Sequence, residues 1–326
     1  MNTRRAYPTI FYNGKNISTT VDKYLESFQY TDPASGESDS LSLTLGNWDG
    51  NWLAGWFPDK GATLAARVLT YNWWRQSEML QLVCGTFTLD DISFSGAPDV
   101  MTLGAVSTPA AEAFKTTERT KTWENATVQQ IAGDIASRYG LALMYDAATI
   151  KISVLEQSKA TDSSFLETVC KDYGLSLKVY GSKLVIFDRE KYKAKAAVKT
   201  IDKGDMLNYT FNTTLAGTYT GGELAYTNAD GDEVTYKTGT GPRILKSNAQ
   251  ASNAAEAKLK LDAAIKEANH GETTLSFSTM GYPTLAAGQT INVTGFGRAS
   301  GKYYIDKLTH SVGESYTTAF ECSKVQ

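Results

Sequence analysis

Only two histidines, His270 and His310, occur among the 326 residues of this chain, and acid–base chemistry near neutral pH would draw on one of them. His270 follows an Ala-, Lys- and Glu-rich helical stretch, where a partly positive ring complements the exposed carbonyls of a helix C-terminus. His310 closes a strand-like run, and no Gly-x-Ser-x-Gly elbow supplies it with a serine, so it reads as packing or turn support. Carboxylate pairs could serve glycoside hydrolysis, and the candidates are Asp90 with Asp91, Glu37 with Asp39, and Asp230 with Asp232 and Glu233. Each lies in or beside a turn, where Asp is expected for its local hydrogen bonding, and adjacent residues on a strand point to opposite faces. The Asp230-to-Glu233 group resembles a fragment of a calcium loop but lacks the remaining ligands.

Cys84, Cys170 and Cys322 are odd in number and widely spaced, a pattern of neither a disulfide framework nor a zinc site, so reduced and mostly buried thiols are expected. Gly217, Gly221, Gly222, Gly239 and Gly241 do not join a strand to a helix in the manner of a phosphate-binding loop. Trp48, Trp52, Trp56, Trp73 and Trp74 crowd the N-terminal third, where core and subunit-interface roles are favoured over sugar platforms. The sequence therefore assigns no catalytic, cofactor-binding or metal-binding residue, no cofactor, and no enzyme activity.

The elements that would position these residues come in three blocks. With 42% hydrophobic residues and a length beyond one typical domain, a soluble chain of two or three domains is expected. Its 32 basic and 35 acidic residues are spread evenly, giving a formal charge of -3 and no field for nucleic acid. No run of about 18 apolar residues implies a membrane span, and the start reads as cytoplasmic synthesis without Sec export. Residues 1–110 alternate apolar and polar in short strands between Gly, Asp, Asn and Pro turns, with Leu41, Leu43 and Leu45 on one face and Ser42 and Thr44 on the other. Residues 111–190 change period. Val128, Ile131, Ala132, Ile135, Ala136 and Tyr139 form a helical stripe starting at Thr127, and Phe165, Leu166, Val169, Cys170 and Tyr173 form another, with Asp162 or Ser163 as its cap. Tyr139-Gly140-Leu141 and Tyr173-Gly174-Leu175 mark matching exits into strands, so a helix-strand-strand unit is expected twice. The charged run from Asp188 to Lys199 reads as a solvated connector. Residues 191–326 return to strands, with a hairpin around Asp230-Gly231 and a helix from about Ser252 to Asn269 inserted. The predicted class is mainly β with α+β: two tube-like β-barrel domains flanking a small α+β domain.

Three segments carry a resemblance: Gly36 to Leu64, with an alternating strand, a tryptophan-bearing loop and a Phe-Pro-x-Lys-Gly entry to the next strand; the Trp123 start with its paired Tyr-Gly-Leu exits; and Pro283 to His310, ending in Gly-x-Tyr and a histidine. In this order they resemble the phage late control protein D family, the baseplate hubs of contractile tails and related injection machines. The resemblance implies a homotrimer whose two barrels per subunit present six similar domains to a hexameric tail tube, with a trimeric central spike below and other baseplate proteins around it. Because the chain stops at Gln326, just after the second barrel, it further implies a separate spike protein. Assembly in the bacterial host cytoplasm, release by lysis and residence in a virion baseplate or tail-like particle follow from the same likeness, with no nucleic-acid or membrane partner. The hairpin from Glu223 to Lys237 is a candidate for reaching a neighbouring subunit. Two other readings remain open on the residues alone: a particle-borne glycan-binding or wall-cleaving β-protein, and a tube or wedge component of the same particle.

Overall fold

The alternation in Ser40–Gly46 becomes a strand whose Leu41, Leu43 and Leu45 are each 1% exposed while Ser42 and Thr44 are half-buried, so the pleat alone sorts core from surface. It pairs antiparallel with Leu25–Pro33 on one side and Val100–Val106 on the other. In this computed structural model, which describes residues 3–107, 113–228 and 231–325, those strands belong to one 13-stranded sheet. The expected first boundary, after residue 110, lies outside the described residues.

The sheet has two halves. One runs in the order Lys15–Asn16, Arg5–Tyr12, Thr63–Tyr71, Met79–Ser95, Val100–Val106, Ser40–Gly46, Leu25–Pro33. The other continues through Gly301–Val312, Tyr316–Lys324 and Thr273–Met280 to the edge strand Met206–Thr213, with Thr290–Thr294 and Lys199–Asp202 on a branch. The chain is mainly β with an α+β part, as its sequence predicts, and the two β halves meet edge to edge. Leu25–Pro33 pairs antiparallel with Gly301–Val312, placing Tyr30 opposite His310. Arg5–Tyr12, at the far end of the first half, comes back beside Gly301–Val312, so that half curls towards a tube. Phe28, Leu43, Val68, Phe87 and Met101 fill its core, which Val312 and Tyr316 from the C-terminal strands complete. Leu275, Ile291, Tyr303 and Phe320 lie in the core of the second half.

Between the halves in sequence lie the helices Val128–Arg138 and Asp162–Asp172. Thr127 and Gln130 form a reciprocal capping box on the first. Gly140 and Gly174 follow the helix ends at φ +65° and +69°, the left-handed turn that the paired Tyr-Gly-Leu exits require. The strands after them pair differently. Leu175–Tyr180 pairs antiparallel with Lys183–Asp188, which also takes Ala142–Asp146 in parallel, whereas Lys151–Thr161 pairs with Glu118–Thr127. The cap of the second helix is Thr161, not Asp162 or Ser163: its hydroxyl accepts from Ser164 N at 3.3 Å. Asp162 instead turns inward, fully buried, and accepts from Arg138 Nη1 (2.5 Å), Tyr139 Oη (2.6 Å) and Gln157 Nε2 (2.9 Å). Burial would raise its carboxyl, but these hydrogen bonds outweigh burial and hold it below the ordinary range.

The charged run after Asp188 is more than a connector. Arg189–Ala194 forms a short helix capped by the Asp188 carboxylate, with Arg189 paired to Glu267 and Lys191 to Asp146. The inserted strands Gly221–Thr227, Glu233–Gly239 and Ile244–Ser247 make a small separate sheet seated on the helix Ala254–His270 through Leu224, Tyr226, Ala257 and Leu261.

One buried ion cluster ties these parts together. Lys178, on Leu175–Tyr180, pairs with Asp32, sits 2.8 Å from Asp39 Oδ1 and donates to the Pro33 carbonyl at 2.9 Å. Asp32 also accepts from Ala287 N (2.9 Å) in the second half, and Asp39 accepts from Tyr30 Oη (2.8 Å). Burial would pull the Lys178 ammonium down, yet the two carboxylates hold it above its ordinary range; burial leaves Asp39 raised despite Lys178. Removing one member strands the others in a water-poor junction, which costs about 3–5 kcal/mol for a buried pair. Lys178→Met should therefore lower stability by that order in urea titrations, and Lys178→Met combined with Asp39→Asn should cost less than the sum of the two single changes.

Candidate functional site

The residues singled out for chemistry do not converge. His310 lies within the strand Gly301–Val312 rather than at its end, and it is fully buried. Its Nδ1 is 2.9 Å from Tyr316 Oη and 3.1 Å from Thr318 Oγ1, and its ring stacks with Tyr30 at 6.0 Å. Burial pushes its pKa down to about 4, so the ring is neutral and serves packing.

His270 is the last residue of its helix, but instead of capping carbonyls its Nε2 contacts Asp306 Oδ1 at 2.7 Å. Ser323 Oγ lies 3.3 Å from Nδ1 and 3.4 Å from Nε2 of the same ring. The residue types match a serine-histidine-aspartate set, which sequence reasoning missed because Asp306 and Ser323 stand 36 and 53 positions away. The geometry does not match. A working triad needs the serine in line with one ring nitrogen and the aspartate on the other, whereas this hydroxyl is shared between both nitrogens. Ser323 is also 1% exposed, closed to any substrate. The set anchors the inserted helix to the strands Gly301–Val312 and Tyr316–Lys324.

The carboxylates scatter. Asp90 and Asp91 are both exposed at a register shift in Met79–Ser95, where the bulge cancels the expected alternation. Glu37 is exposed beside Lys307 at 3.4 Å while Asp39 is buried in the Lys178 cluster, so this pair faces no common substrate. Asp232 and Glu233 are exposed at the start of their hairpin strand, and Asp230 lies outside the described residues. Cys84, Cys170 and Cys322 are all buried free thiols, and burial raises each above its ordinary range. Among the described residues, no group of three or more His, Cys, Asp or Glu could hold a metal ion.

The tryptophans divide by role. Trp73 donates Nε1–H to the Gly281 carbonyl at 2.6 Å and packs on Tyr316 at 5.2 Å, while Trp74 packs on Tyr282 at 5.0 Å, so this pair bridges the two sheet halves. Trp52 is buried. Trp48 stacks on Tyr24 at 4.7 Å yet remains 66% exposed, while Trp52, Trp56 and Phe57 line a separate apolar groove of about 400 Å³ that reaches Val21 and Leu45. A second apolar surface lies on the edge strand Met206–Thr213, where Leu207, Tyr209 and Phe211 are exposed; Tyr209 and Phe211 share one face, and Leu207 stands at a register shift. Exposed apolar patches of this kind are candidates for protein contacts.

A proton balance follows from His310. The folded ring binds a proton near pH 4 and an unfolded one near 6.5, so its contribution to stability is complete above pH 6.5 and is lost as the pH falls towards 4. At about 1.4 kcal/mol per pKa unit the loss is about 3 kcal/mol. Asp39, raised by burial, protonates earlier in the fold than in the unfolded chain and acts in the opposite direction. Urea titrations between pH 7 and 4.5 should therefore show a His310→Gln variant with a shallower loss of stability than the unsubstituted chain.

No family model matches the chain. In sequence it is similar to a protein named probable baseplate hub protein of Escherichia phage P2, 29% identical over 219 residues that make up 65% of this chain and 54% of that one. The chain thus spans about half the length of that curated relative. In fold it is similar to the 43 kDa tail protein of prophage MuSo2 from Shewanella oneidensis, with a TM-score of 0.75, 12% identity and 98% of both chains covered. It is also similar to the Escherichia coli protein c3393, a type VI secretion component described as structurally similar to the T4 tail proteins gp27 and gp5, with a TM-score of 0.57, 10% identity and coverage of 93% and 74%. The chain accordingly resembles a phage baseplate hub protein in sequence and has a fold in common with phage tail proteins.

Proposed function

We propose that the chain is a structural, non-catalytic baseplate hub of a contractile phage tail or tail-like particle. It acts as a homotrimer that adapts the hexameric tail tube to a trimeric central spike and to the other baseplate proteins. The observation that carries this reading is the edge-to-edge joining of two sheet halves in one chain through Leu25–Pro33 and Gly301–Val312. Three copies then offer six sheet halves, the number a sixfold tube needs, while the assembly keeps the threefold symmetry of a spike. The division into 1–110, 111–190 and 191–326 serves the same purpose, with the middle part held against both halves by Lys178. The phage relative's name and the tail-protein fold support the placement. Assembly in the host cytoplasm and release by lysis belong to this reading.

The mechanism is mechanical. The hub nucleates the tube, joins it to the spike and travels with both when the sheath contracts, so its binding energy resides in large permanent interfaces. The exposed apolar surfaces on both halves supply candidates for such contacts. Light scattering of the chain, alone and with the trimeric spike protein of its particle, should give a trimer in at least one sample. A monomer in both would remove the adapter reading and make a glycan-binding assay of the Trp48 surface the next step.

A further inference from the structure

The strand Met206–Thr213 is an unusual sheet edge. It pairs only with Thr273–Met280, and among the described residues no backbone group pairs along its outer side. Seven of its eight residues are exposed; Leu207, Tyr209 and Phe211 are 64%, 47% and 37% exposed. Tyr209 is held in place edge-on to Phe296 at 5.0 Å. From Met206 to Gly222 the chain carries no charged residue and no proline. Edge strands are ordinarily blunted by charge, proline or shortness, because an open row of N–H and C=O groups recruits any available strand. This edge has neither charge nor proline, and its one irregularity is a register shift between Met206 and Asn208, which leaves Asn208 to Thr213 as a regular open row.

The chain also carries a strand of matching length. Within residues 191–326 the other outer edges are Lys199–Asp202 and Ile244–Ser247, each of 4 residues, and Glu233–Gly239, of 7. Glu233–Gly239 pairs only with Gly221–Thr227, and its outward residues Glu233, Thr235 and Lys237 are exposed. Its small sheet has its own core on the helix Ala254–His270, so it projects as a rigid unit and not as a slack loop. The two open edges do not pair with each other within one chain.

We propose that Glu233–Gly239 of one copy adds to the open edge Met206–Thr213 of a second copy, extending the large sheet from subunit to subunit. Each copy then presents one donor and one acceptor edge, a heterologous contact that closes into a ring when the rotation permits. The added strand satisfies the open backbone row and covers part of the exposed side chains of Leu207, Tyr209 and Phe211. It also repeats between chains the edge-to-edge joining that Leu25–Pro33 and Gly301–Val312 make within one. This inference rests on the homotrimer reading and names the contact that would build it.

The test uses two single-cysteine additions, Thr210→Cys and Thr235→Cys, at exposed positions; the native thiols are all buried and do not compete. Equal amounts of the two variants, mixed with the spike protein and treated with a short bismaleimide, should yield a cross-linked chain pair at least fivefold above either variant alone. Leu207→Asp should weaken self-association at least tenfold in light scattering while leaving the thermal unfolding of the monomer unchanged. A trimer that forms without the heterotypic cross-link, or one indifferent to Leu207→Asp, would overturn this contact and leave the hub reading standing. A monomer in every sample would remove both.

Discussion

The cluster of Asp32, Asp39 and Lys178 is the constraint on which the arrangement of this chain depends. Three parts of the sequence meet there: the first sheet half gives both carboxylates, the α+β part gives the ammonium, and the second half gives the Ala287 N–H. A buried ion pair contributes little net stability over an apolar contact of the same shape, because desolvation offsets much of the Coulomb attraction. Its effect is on specificity. Any docking of the α+β part that moves Lys178 away leaves two buried carboxylates unpaired, so competing arrangements are penalised far more than the native one is favoured. Asp162 does the same within the α+β part, collecting Arg138 and Tyr139 from one helix end and Gln157 from a strand around one buried charge.

Around that fixed junction, the two sheet halves become a single mechanical piece. Strand pairing is continuous from Arg5–Tyr12 to Met206–Thr213, and the tryptophan pair Trp73 and Trp74 joins the halves again through Gly281, Tyr316 and Tyr282. On the proposed hub reading, a component that joins a tube to a spike has to keep its two halves in fixed relation. Polar groups that elsewhere would be suspected of catalysis are spent here on rigidity: His310 inside a core, and His270 with Asp306 and Ser323 at the root of the inserted helix.

What the sequence disclosed was local. Alternation at Leu41, Leu43 and Leu45, the helical stripe from Val128 to Tyr139 and the paired Tyr-Gly-Leu exits follow from periods of 2 and 3.6 and from the left-handed glycine, all set within a few residues. What it concealed depends on distant partners. Lys178 reads as an ordinary strand lysine until the fold brings Asp32 and Asp39 to it, and Asp162 reads as a cap because nothing local shows that Arg138 will meet it. Thr161 was the better cap, since an Asp already needed in the interior is not free to bond its own helix. The bulge beside Asp90 likewise arises from pairing with Val100–Val106 and has no sign in the local pattern. The joining of the two halves into one sheet could not be read from strand periods, which say that a strand exists and which face is buried but not which edge it will meet.

The central claim, that this chain adapts threefold to sixfold symmetry at the end of a tail tube, is tested most directly by electron cryomicroscopy of the tail end of the particle that carries it. The account predicts three copies in a ring below the tube, with six sheet halves arranged about the tube axis and the Lys178 junction repeated at three places. Six copies per ring, or a position away from the axis, would contradict it.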